Sequence, residues 1–283
     1  MDYGHNLHRG SGHIKRVGPD ERRWRSRTHA TSSLTGANDH GTLGPCGLET
    51  AQAEGREEMC GRFTLTQDQD AFDERFSFTG PDLGWVPSYN IAPTQQVVAI
   101  TSEGAQNRAQ LMRWGLVPFW AKDPTIGNRM INARAETLGE KPSFRDAFKK
   151  RRCLVVGDGF YEWRRDGGRK RPMRITVARR EPFAFAGLWE SWGKGSGERL
   201  VTCTIITTSA NDFMEPIYDR MPVILPREAE EAWLDPDSED VGALSELLLP
   251  YPSDQMNAHE VSTLVNSPRN NSPECIAPVA SLL

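Results

Sequence analysis

Met59-Cys60-Gly61-Arg62-Phe63 divides the chain into two parts of different composition. If the active species starts at Met59, methionine aminopeptidase removes that residue, because cysteine is small, and Cys60 becomes the N-terminus. A terminal cysteine offers an α-amine with a pKa of roughly 7.7–8.0 beside a thiol with a pKa of about 8.5. The amine can form a Schiff base with an aldehyde, and the neighbouring thiolate can then close a thiazolidine ring. Inside a longer chain, Cys60 would instead be an ordinary small buried residue.

Residues 1–58 contain five of the six histidines, and their apolar residues follow neither a helical nor a strand period. This composition predicts disorder. Two interpretations stay open: a disordered leader, or sequence translated from a start codon placed too early, and we favour the second. The histidines do not stand at ligand spacing, so we predict no metal and no cofactor.

The composition of the whole 283-residue chain limits its class. An apolar run of about 18 residues, enough to span a membrane, is absent from the sequence, and residues 1–30 have no secretory signal pattern. Five scattered cysteines argue for a reducing cytoplasm rather than a disulfide framework. The net charge of −4 means that a nucleic-acid partner would need a local basic cleft. We expect a cytoplasmic monomer, associated with the nucleoid when it binds DNA.

Residues 59–283 show many short strand patterns and few helical ones, which predicts a single α+β domain. Its mostly antiparallel sheets should curl in a barrel-like way around one core, with a few short helices at the periphery. Four local patterns carry finer predictions: Thr66 as a helix N-cap, Tyr89–Thr94 as a loop, a hairpin that turns at Gly157-Asp158-Gly159, and a last strand near Val261–Val265.

Several polar residues lie inside otherwise apolar segments; among them are Asn132, Arg134, Glu162, Thr207 and Arg220. Each one alone is most simply a surface or hydrogen-bonded residue. Glu162 fits that interpretation least, because aromatic residues flank it in Gly159–Trp163. Apolar surroundings raise the pKa of a carboxyl group, which suits a general acid.

Seven stretches, in this order, resemble the SOS response-associated peptidase (SRAP) family. They are Met59–Phe63, Tyr89–Thr94, Arg113–Pro118, Ile131–Thr137, Gly159–Trp163, Ala186–Glu190 and Asp219–Leu225. The family begins at the Met-Cys pair, so residues 1–58 have no counterpart.

The resemblance implies a sensor of abasic sites in single-stranded DNA that acts in the DNA damage response. Its activity would be a covalent DNA–protein crosslink with lyase-like Schiff-base chemistry, a thiazolidine formed by Cys60 as the N-terminal residue. By the same resemblance, Asn132 orients the Cys60 terminus and the sugar, and Glu162 protonates the sugar ring oxygen to favour the open aldehyde.

The resemblance also implies a DNA-binding surface. Arg62, Arg134 and Arg220 would hold phosphates, Pro93 and Trp114 would offer apolar faces to bases, and Thr207 would belong to the same surface. The family has a histidine where this chain has Tyr218. A phenol with a pKa of about 10 shuttles protons poorly near neutrality, so we expect the crosslink to form but to be released slowly. The remaining histidine, His259, is predicted to be buried and hydrogen-bonded.

Two alternatives belong to other functional classes. The chain could be a cysteine-type peptidase that removes its own leader, although a thiol peptidase usually needs an imidazole base. It could also be a non-catalytic module that binds single-stranded DNA, for which Cys60→Ala would leave function intact.

Overall fold

The computed structural model describes residues 61–67, 69–78, 83–84, 86–104, 106–177, 181–193 and 199–279. All of them fall in one compact unit. None of the helices in these ranges is long and apolar enough to cross a membrane. The predictions on residues 1–58 and on Cys60 lie outside the described residues.

The strands, in chain order, are β1 (Phe63–Leu65), β2 (Ser88–Ile91), β3 (Gln96–Glu103), β4 (Gln106–Trp114), β5 (Asn132–Arg134), β6 (Arg152–Gly157), β7 (Gly159–Asp166), β8 (Arg169–Val177), β9 (Phe183–Trp192), β10 (Leu200–Ser209), β11 (Arg220–Pro222), β12 (Ile224–Leu225) and β13 (Met256–Glu260). The α-helices are α1 (Gln69–Arg75), α2 (Arg145–Lys150), α3 (Arg227–Leu234) and α4 (Val241–Glu246). Short 3-10 helices lie between these elements, including Thr263–Asn266 and Pro273–Cys275.

The strands form two sheets. The smaller sheet has the order β13-β8-β7-β1-β2, and every pairing in it is antiparallel. The larger sheet runs β11-β10-β4-β3-β6-β9-β12, and β5 joins it by pairing with β10. Because β9 pairs with both β6 and β10, five of these strands close into a ring. The predicted α+β class, with curled sheets and few short helices, is confirmed.

Aromatic side chains join the two sheets in one core. Phe63 of β1 makes edge contacts with Trp114 at a centroid distance of 5.2 Å and with Phe185 at 5.6 Å. Phe160 of β7 reaches the same Phe185 at 6.2 Å. All four rings are buried. Burial of an aromatic residue removes about 150–250 Å² from water, so these contacts fix β1 and β7 against the ring of strands.

The predicted hairpin around Gly157-Asp158-Gly159 is wrong. β6 pairs with β3 and β9 in the larger sheet, whereas β7 pairs with β1 and β8 in the smaller one. The Gly-Asp-Gly stretch therefore carries the chain from one sheet to the other. Asp158 is 2% exposed and accepts hydrogen bonds from the segment that follows β1.

Three further local predictions also differ from the structure. Thr66 is not a helix N-cap, because α1 starts at Gln69 and the Thr66 hydroxyl donates to Asp158. Part of the predicted Tyr89–Thr94 loop is strand β2, which pairs with β1. The predicted strand near Val261–Val265 is largely a 3-10 helix, and the last strand is β13, just before it.

Candidate functional site

The first described residues run alongside the strand that carries Glu162. The amide of Tyr161 donates to the Arg62 carbonyl at 3.0 Å, and Phe63 pairs with Phe160. Extending this antiparallel register by two residues from Phe63 places Gly61 opposite Glu162. Glu162 is 3% exposed and shares a strand face with Phe160, since alternate residues of a strand face the same way. The carboxyl group therefore faces the interior between the two sheets, beside the start of the described chain.

The buried carboxylate of Asp158 holds the other end of β1 and the residues that follow it. Asp158 accepts hydrogen bonds from the hydroxyls of Thr64 at 2.5 Å and Thr66 at 2.6 Å. It also accepts from the backbone amides of Thr66 at 2.5 Å and Gln67 at 3.2 Å. The Arg174 guanidinium lies 3.4 Å away and balances its charge. Charge-assisted hydrogen bonds are about twice as strong as neutral ones, so β1 is held firmly at its C-terminal end.

Arg62 is engaged by acceptors of the protein itself. Its Nη1 donates to Asn90 Oδ1 at 2.9 Å and to the Val265 carbonyl at 2.7 Å, and Nη2 donates to the Asn266 carbonyl at 3.3 Å. Burial lowers the pKa of the Arg62 guanidinium. In this structure Arg62 connects β1 to the C-terminal loop, a contact that the sequence did not predict.

Asn90 completes that connection. Its Nδ2 donates to the carbonyls of Val265 at 3.2 Å, Ser267 at 3.0 Å and Asn270 at 2.8 Å. The residue is 1% exposed. One amide side chain thus ties Arg62 and the 265–270 loop to the edge strand β2.

Asn132 and Trp114 belong to one local framework. The Trp114 indole donates to the Ile131 carbonyl at 2.8 Å, and the Ile205 amide donates to the same carbonyl at 3.0 Å. Asn132 is the next residue after Ile131 and the first of β5, and it is half-buried. Trp114 is fully buried, so its predicted stacking on DNA bases is contradicted: a base cannot reach the ring. Trp114 instead holds the backbone that positions Asn132.

A charged cluster lies where β5 and β10 end and β11 begins; it contains Arg134, Glu136 and Arg220. Arg220 donates to Glu136 from both ends of its fork, Nη1 to Oε1 at 2.9 Å and Nη2 to Oε2 at 3.0 Å. Nη2 also donates to the Thr207 carbonyl at 2.8 Å. The hydrogen bond from Arg220 lowers the pKa of Glu136, and the charge of Arg134 adds to that effect. Arg134 is exposed. Thr207, predicted to belong to the DNA-binding surface, is fully buried and holds Arg220 through its carbonyl.

Tyr218 lies two residues before Arg220, in the turn between β10 and β11. It is half-buried, and its amide donates to the Met214 carbonyl at 2.9 Å. His259 lies on β13 of the other sheet, where its Nε2 is 2.9 Å from the Ile276 carbonyl. This partly buried, hydrogen-bonded histidine agrees with the prediction of a structural role.

Two exposed aromatic residues were missed as individual candidates. Phe119 is 53% exposed and Trp120 is 48% exposed. They follow Trp114 in the aromatic stretch that the sequence singled out. Single exposed apolar residues are common, whereas contiguous ones mark interaction surfaces, and these two residues are neighbours in the chain. Pro93 is half-buried in the turn Ala92–Gln95, whose Thr94 has a φ of 72°, a strained value for a β-branched residue.

The described ranges contain no group of three or more potential metal ligands. The cysteines described there, Cys153, Cys203 and Cys275, are buried and form no disulfide. Burial raises the pKa of Cys153 and Cys203, so neither thiol is readily ionised. Nucleophilic sulfur chemistry therefore has no candidate among these three residues.

A family model described as SOS response associated peptidase (SRAP) matches residues 59–268. The abasic site processing protein YoqW of Bacillus subtilis (strain 168) is 53% identical over 221 residues, which cover 77% of this chain and 99% of that protein. The abasic site processing protein HMCES of Xenopus tropicalis is 34% identical over 224 residues, which cover 68% of this chain and 66% of that protein.

Solved structures show the same fold. A crystal structure of a protein from Bacteroides thetaiotaomicron has a TM-score of 0.71 at 30% identity and covers 78% of this chain and 100% of that one. A protein from Bordetella bronchiseptica has a TM-score of 0.62 at 27% identity and covers 72% of this chain and 100% of that one.

Proposed function

The chain belongs to the SOS response associated peptidase family, and from that premise we propose that it recognises abasic sites in single-stranded DNA and captures them covalently. Cys60, as the N-terminal residue, is the proposed nucleophile. The observation that carries the proposal is the buried carboxyl of Glu162 beside the start of the described chain. The printed names of the relatives, abasic site processing proteins, support the substrate class.

The proposed reaction balances without a cofactor. The α-amine of Cys60 attacks the C1′ aldehyde of the open deoxyribose, and loss of water from the carbinolamine gives an imine. The thiolate then adds to the imine carbon, the nitrogen takes up a proton, and a thiazolidine results. Glu162 supplies the proton that opens the sugar ring and helps expel the water. General acid catalysis of this kind is typically worth about 10²–10⁴-fold in rate.

Asn132 is the proposed orienting group, because the Trp114–Ile131 hydrogen bond fixes the backbone from which it projects. The DNA strand would contact Arg134 and Arg220 through phosphates and Pro93, Phe119 and Trp120 through bases. Phe119 and Trp120 take the stacking role first assigned to Trp114, because they are the exposed members of the aromatic stretch. Arg62 would contact a phosphate only through those N–H donors that do not already bind Asn90, Val265 or Asn266.

The central experiment compares two forms of the protein, one expressed from Met59 and one from Met1. Intact mass should show that the active form lacks residues 1–59. The Met59 form should shift on a denaturing gel with abasic single-stranded DNA and not with intact DNA. Cys60→Ser should lose the stable adduct, because an oxazolidine is far more labile than a thiazolidine.

Two results would overturn the proposal. A protein that retains Met1 and still forms the crosslink lacks a free α-amine at Cys60, so the proposed chemistry would be excluded. An equally stable adduct from Cys60→Ser would point to an ordinary lysine Schiff base.

We propose that Tyr218 makes reversal of the thiazolidine crosslink slow. A tyrosine donates its proton less readily than a histidine near neutrality, and reopening the thiazolidine needs a proton on the leaving thiolate. Tyr218→His should speed the transfer of protein from a preformed crosslink to a fresh abasic strand and leave initial formation little changed. The measurement is a chase with excess unlabelled abasic DNA; equal release rates would remove Tyr218 from the mechanism.

The peptidase alternative draws its support from the family's printed description. For peptidase action on other proteins the base would be the α-amine of Cys60 or Glu162; for removal of its own leader it would be Glu162, because the nitrogen of Cys60 is then in a peptide bond. Among the described residues the histidine is His259, which lies on β13 and is held by the Ile276 carbonyl. Incubating the full chain with and without a Cys60→Ala substitution, and measuring the mass over time, tests self-processing. A non-catalytic DNA-binding module would lose no function in the same variant.

A further inference from the structure

The most unusual contact at the proposed DNA surface is an internal one. Glu136 occupies the Arg220 fork with two hydrogen bonds, the arrangement that a phosphate would also make. The Arg220 side chain is 12% exposed, whereas that of Glu136 is 49% exposed. The arginine is therefore fixed in the protein, and the carboxylate is the partner that can leave.

The remaining donors of Arg220 cannot hold a phosphate in a two-bond geometry. The second hydrogen of Nη2 is donated to the Thr207 carbonyl at 2.8 Å. Nε is buried and has no hydrogen-bond partner among the described residues. Of the five N–H donors of a guanidinium, these contacts use three and Nε is buried, which leaves the second hydrogen of Nη1. A paired contact between Arg220 and DNA thus requires Glu136 to move away.

We propose that Glu136 is an internal anion that competes with DNA phosphate for Arg220 and so lowers the affinity of the protein for single-stranded DNA. This inference rests on the proposed function, because it assigns a regulator to the same surface. Glu136 acts there through the Arg220 fork that it fills.

The competition is reversible because the ion pair is partly exposed. Water and salt screen the half-exposed carboxylate, so a DNA strand that makes other contacts can displace it. A DNA strand that makes few other contacts cannot displace Glu136, so Arg220 stays paired with that carboxylate. The consequence is weak retention on undamaged single strands, where the covalent step cannot compensate.

The test is Glu136→Gln, which keeps the shape of the side chain and removes its charge. Binding of an undamaged single-stranded oligonucleotide is measured by fluorescence anisotropy over a series of salt concentrations. We expect affinity to rise by about threefold to fivefold at low salt. The salt dependence should steepen by up to about 0.7 in the slope of log K against log salt, the value for one more phosphate contact on a single strand.

Glu103→Gln is the matched control. Glu103 pairs with Arg108 at 3.1 Å, and both side chains are exposed, at 56% and 48%. The change in net charge is the same, but the pair lies on the β3–β4 hairpin and involves no residue of the candidate site. Any gain in Glu136→Gln beyond that of Glu103→Gln is therefore specific to the position.

A double variant shows whether Glu136 acts through Arg220. In an Arg220→Ala background, Glu136→Gln should gain no more affinity than the Glu103→Gln control. A full gain in that background, or a Glu136→Gln variant that binds no more tightly than the control, would overturn the inference. Weaker binding would instead make Glu136 a group that aligns Arg220 for DNA.

The failure of this inference is distinguishable from failure of the proposed function. If the unsubstituted protein neither binds single strands nor crosslinks abasic DNA, the proposed function fails. If it does both while Glu136→Gln behaves like Glu103→Gln, only the competition is excluded.

Discussion

The clusters around Asp158 and around Arg220 each hold a charged group with several hydrogen bonds, but they differ in burial. Asp158 is 2% exposed, and its donors come from the segment after β1 and from Arg174. The Glu136 side chain, which holds Arg220, is 49% exposed. A buried charged pair is costly to break on one side, whereas an exposed pair exchanges its partner at little cost.

This difference separates two requirements of the proposed function. The chemistry needs a fixed start of the chain, because small displacements of reacting groups reduce rates strongly. Recognition of a strand of any sequence needs contacts that form and release. The molecule thus places its buried charged bonds at β1 and its exposed, exchangeable ones at the end of β10.

The largest effect should follow from Asp158→Ala. Removal of the carboxylate leaves Arg174 without its counter-ion and the buried donors of Thr64 and Thr66 without an acceptor. We expect the free energy of unfolding to fall by about 3–5 kcal/mol, measured by urea denaturation. Asp158→Asn retains one acceptor oxygen and should lose less. A loss below about 1 kcal/mol for the alanine variant would show that β1 is held mainly by its aromatic contacts.

Asn90→Ala tests the other anchor of the chain start. The substitution removes the Nδ2 group that donates to three carbonyls of the 265–270 loop and the Oδ1 atom that accepts from Arg62. We expect a loss of about 2–3 kcal/mol in unfolding free energy and faster amide hydrogen exchange in that loop. Asn90→Asp keeps the acceptor for Arg62 but loses the donors, so it separates the two functions. Unchanged exchange in both variants would mean that the loop is held by other contacts.

On the exchangeable side, Trp120→Ala should weaken binding of single-stranded DNA by about 1–3 kcal/mol, the usual contribution of a base stacked on an aromatic ring. The 48% exposed side chain contributes little to the core, so the urea midpoint should barely move. Leu249→Ala, at another exposed apolar position, serves as the control. Equal affinities for the two variants would remove Trp120 from the DNA surface.

The smallest effect sharpens the contrast between two arginines. Arg134 is exposed, whereas the fork of Arg220 is already filled by Glu136. Arg134→Ala should therefore cost about 1 kcal/mol of DNA affinity and reduce the salt slope, and Arg220→Ala should cost less. The measurement is anisotropy at two salt concentrations. The reverse order would indicate that DNA displaces Glu136 completely and gains a strong contact at Arg220.

The sequence predicted elements more successfully than their pairing. Strand β7 and the candidate Glu162 follow from the aromatic stretch around them. The hairpin prediction failed because Gly157-Asp158-Gly159 is a local turn signal, whereas the partners of β6 and β7 are set by contacts far along the chain. Local patterns carry no information on which of two sheets a strand joins.

The sequence also could not predict which residues of the aromatic stretch are buried. Trp114 and Trp120 are six positions apart, yet one is fully buried and the other is 48% exposed. Glu136 and Arg220 are 84 positions apart in the sequence. The motif around Asn132 contains Glu136, but nothing in that motif indicates that Arg220 is its hydrogen-bond partner. These features depend on where β5, β10 and β11 meet, which only the tertiary structure specifies.

The closed ring of strands has a consequence for folding kinetics. The ring is closed by the parallel pairing of β4 with β10, two strands that are distant in the sequence. In this pairing Arg113 and Trp114 lie opposite Thr202 and Cys203. Chains dominated by such non-local pairings fold in milliseconds to seconds, because a long loop must be ordered before the contact forms. During synthesis β3 and β4 can pair early, but the ring stays open until β10 has left the ribosome. The Asn132 segment, which pairs with that same strand, therefore reaches its final position only in the last stage of folding.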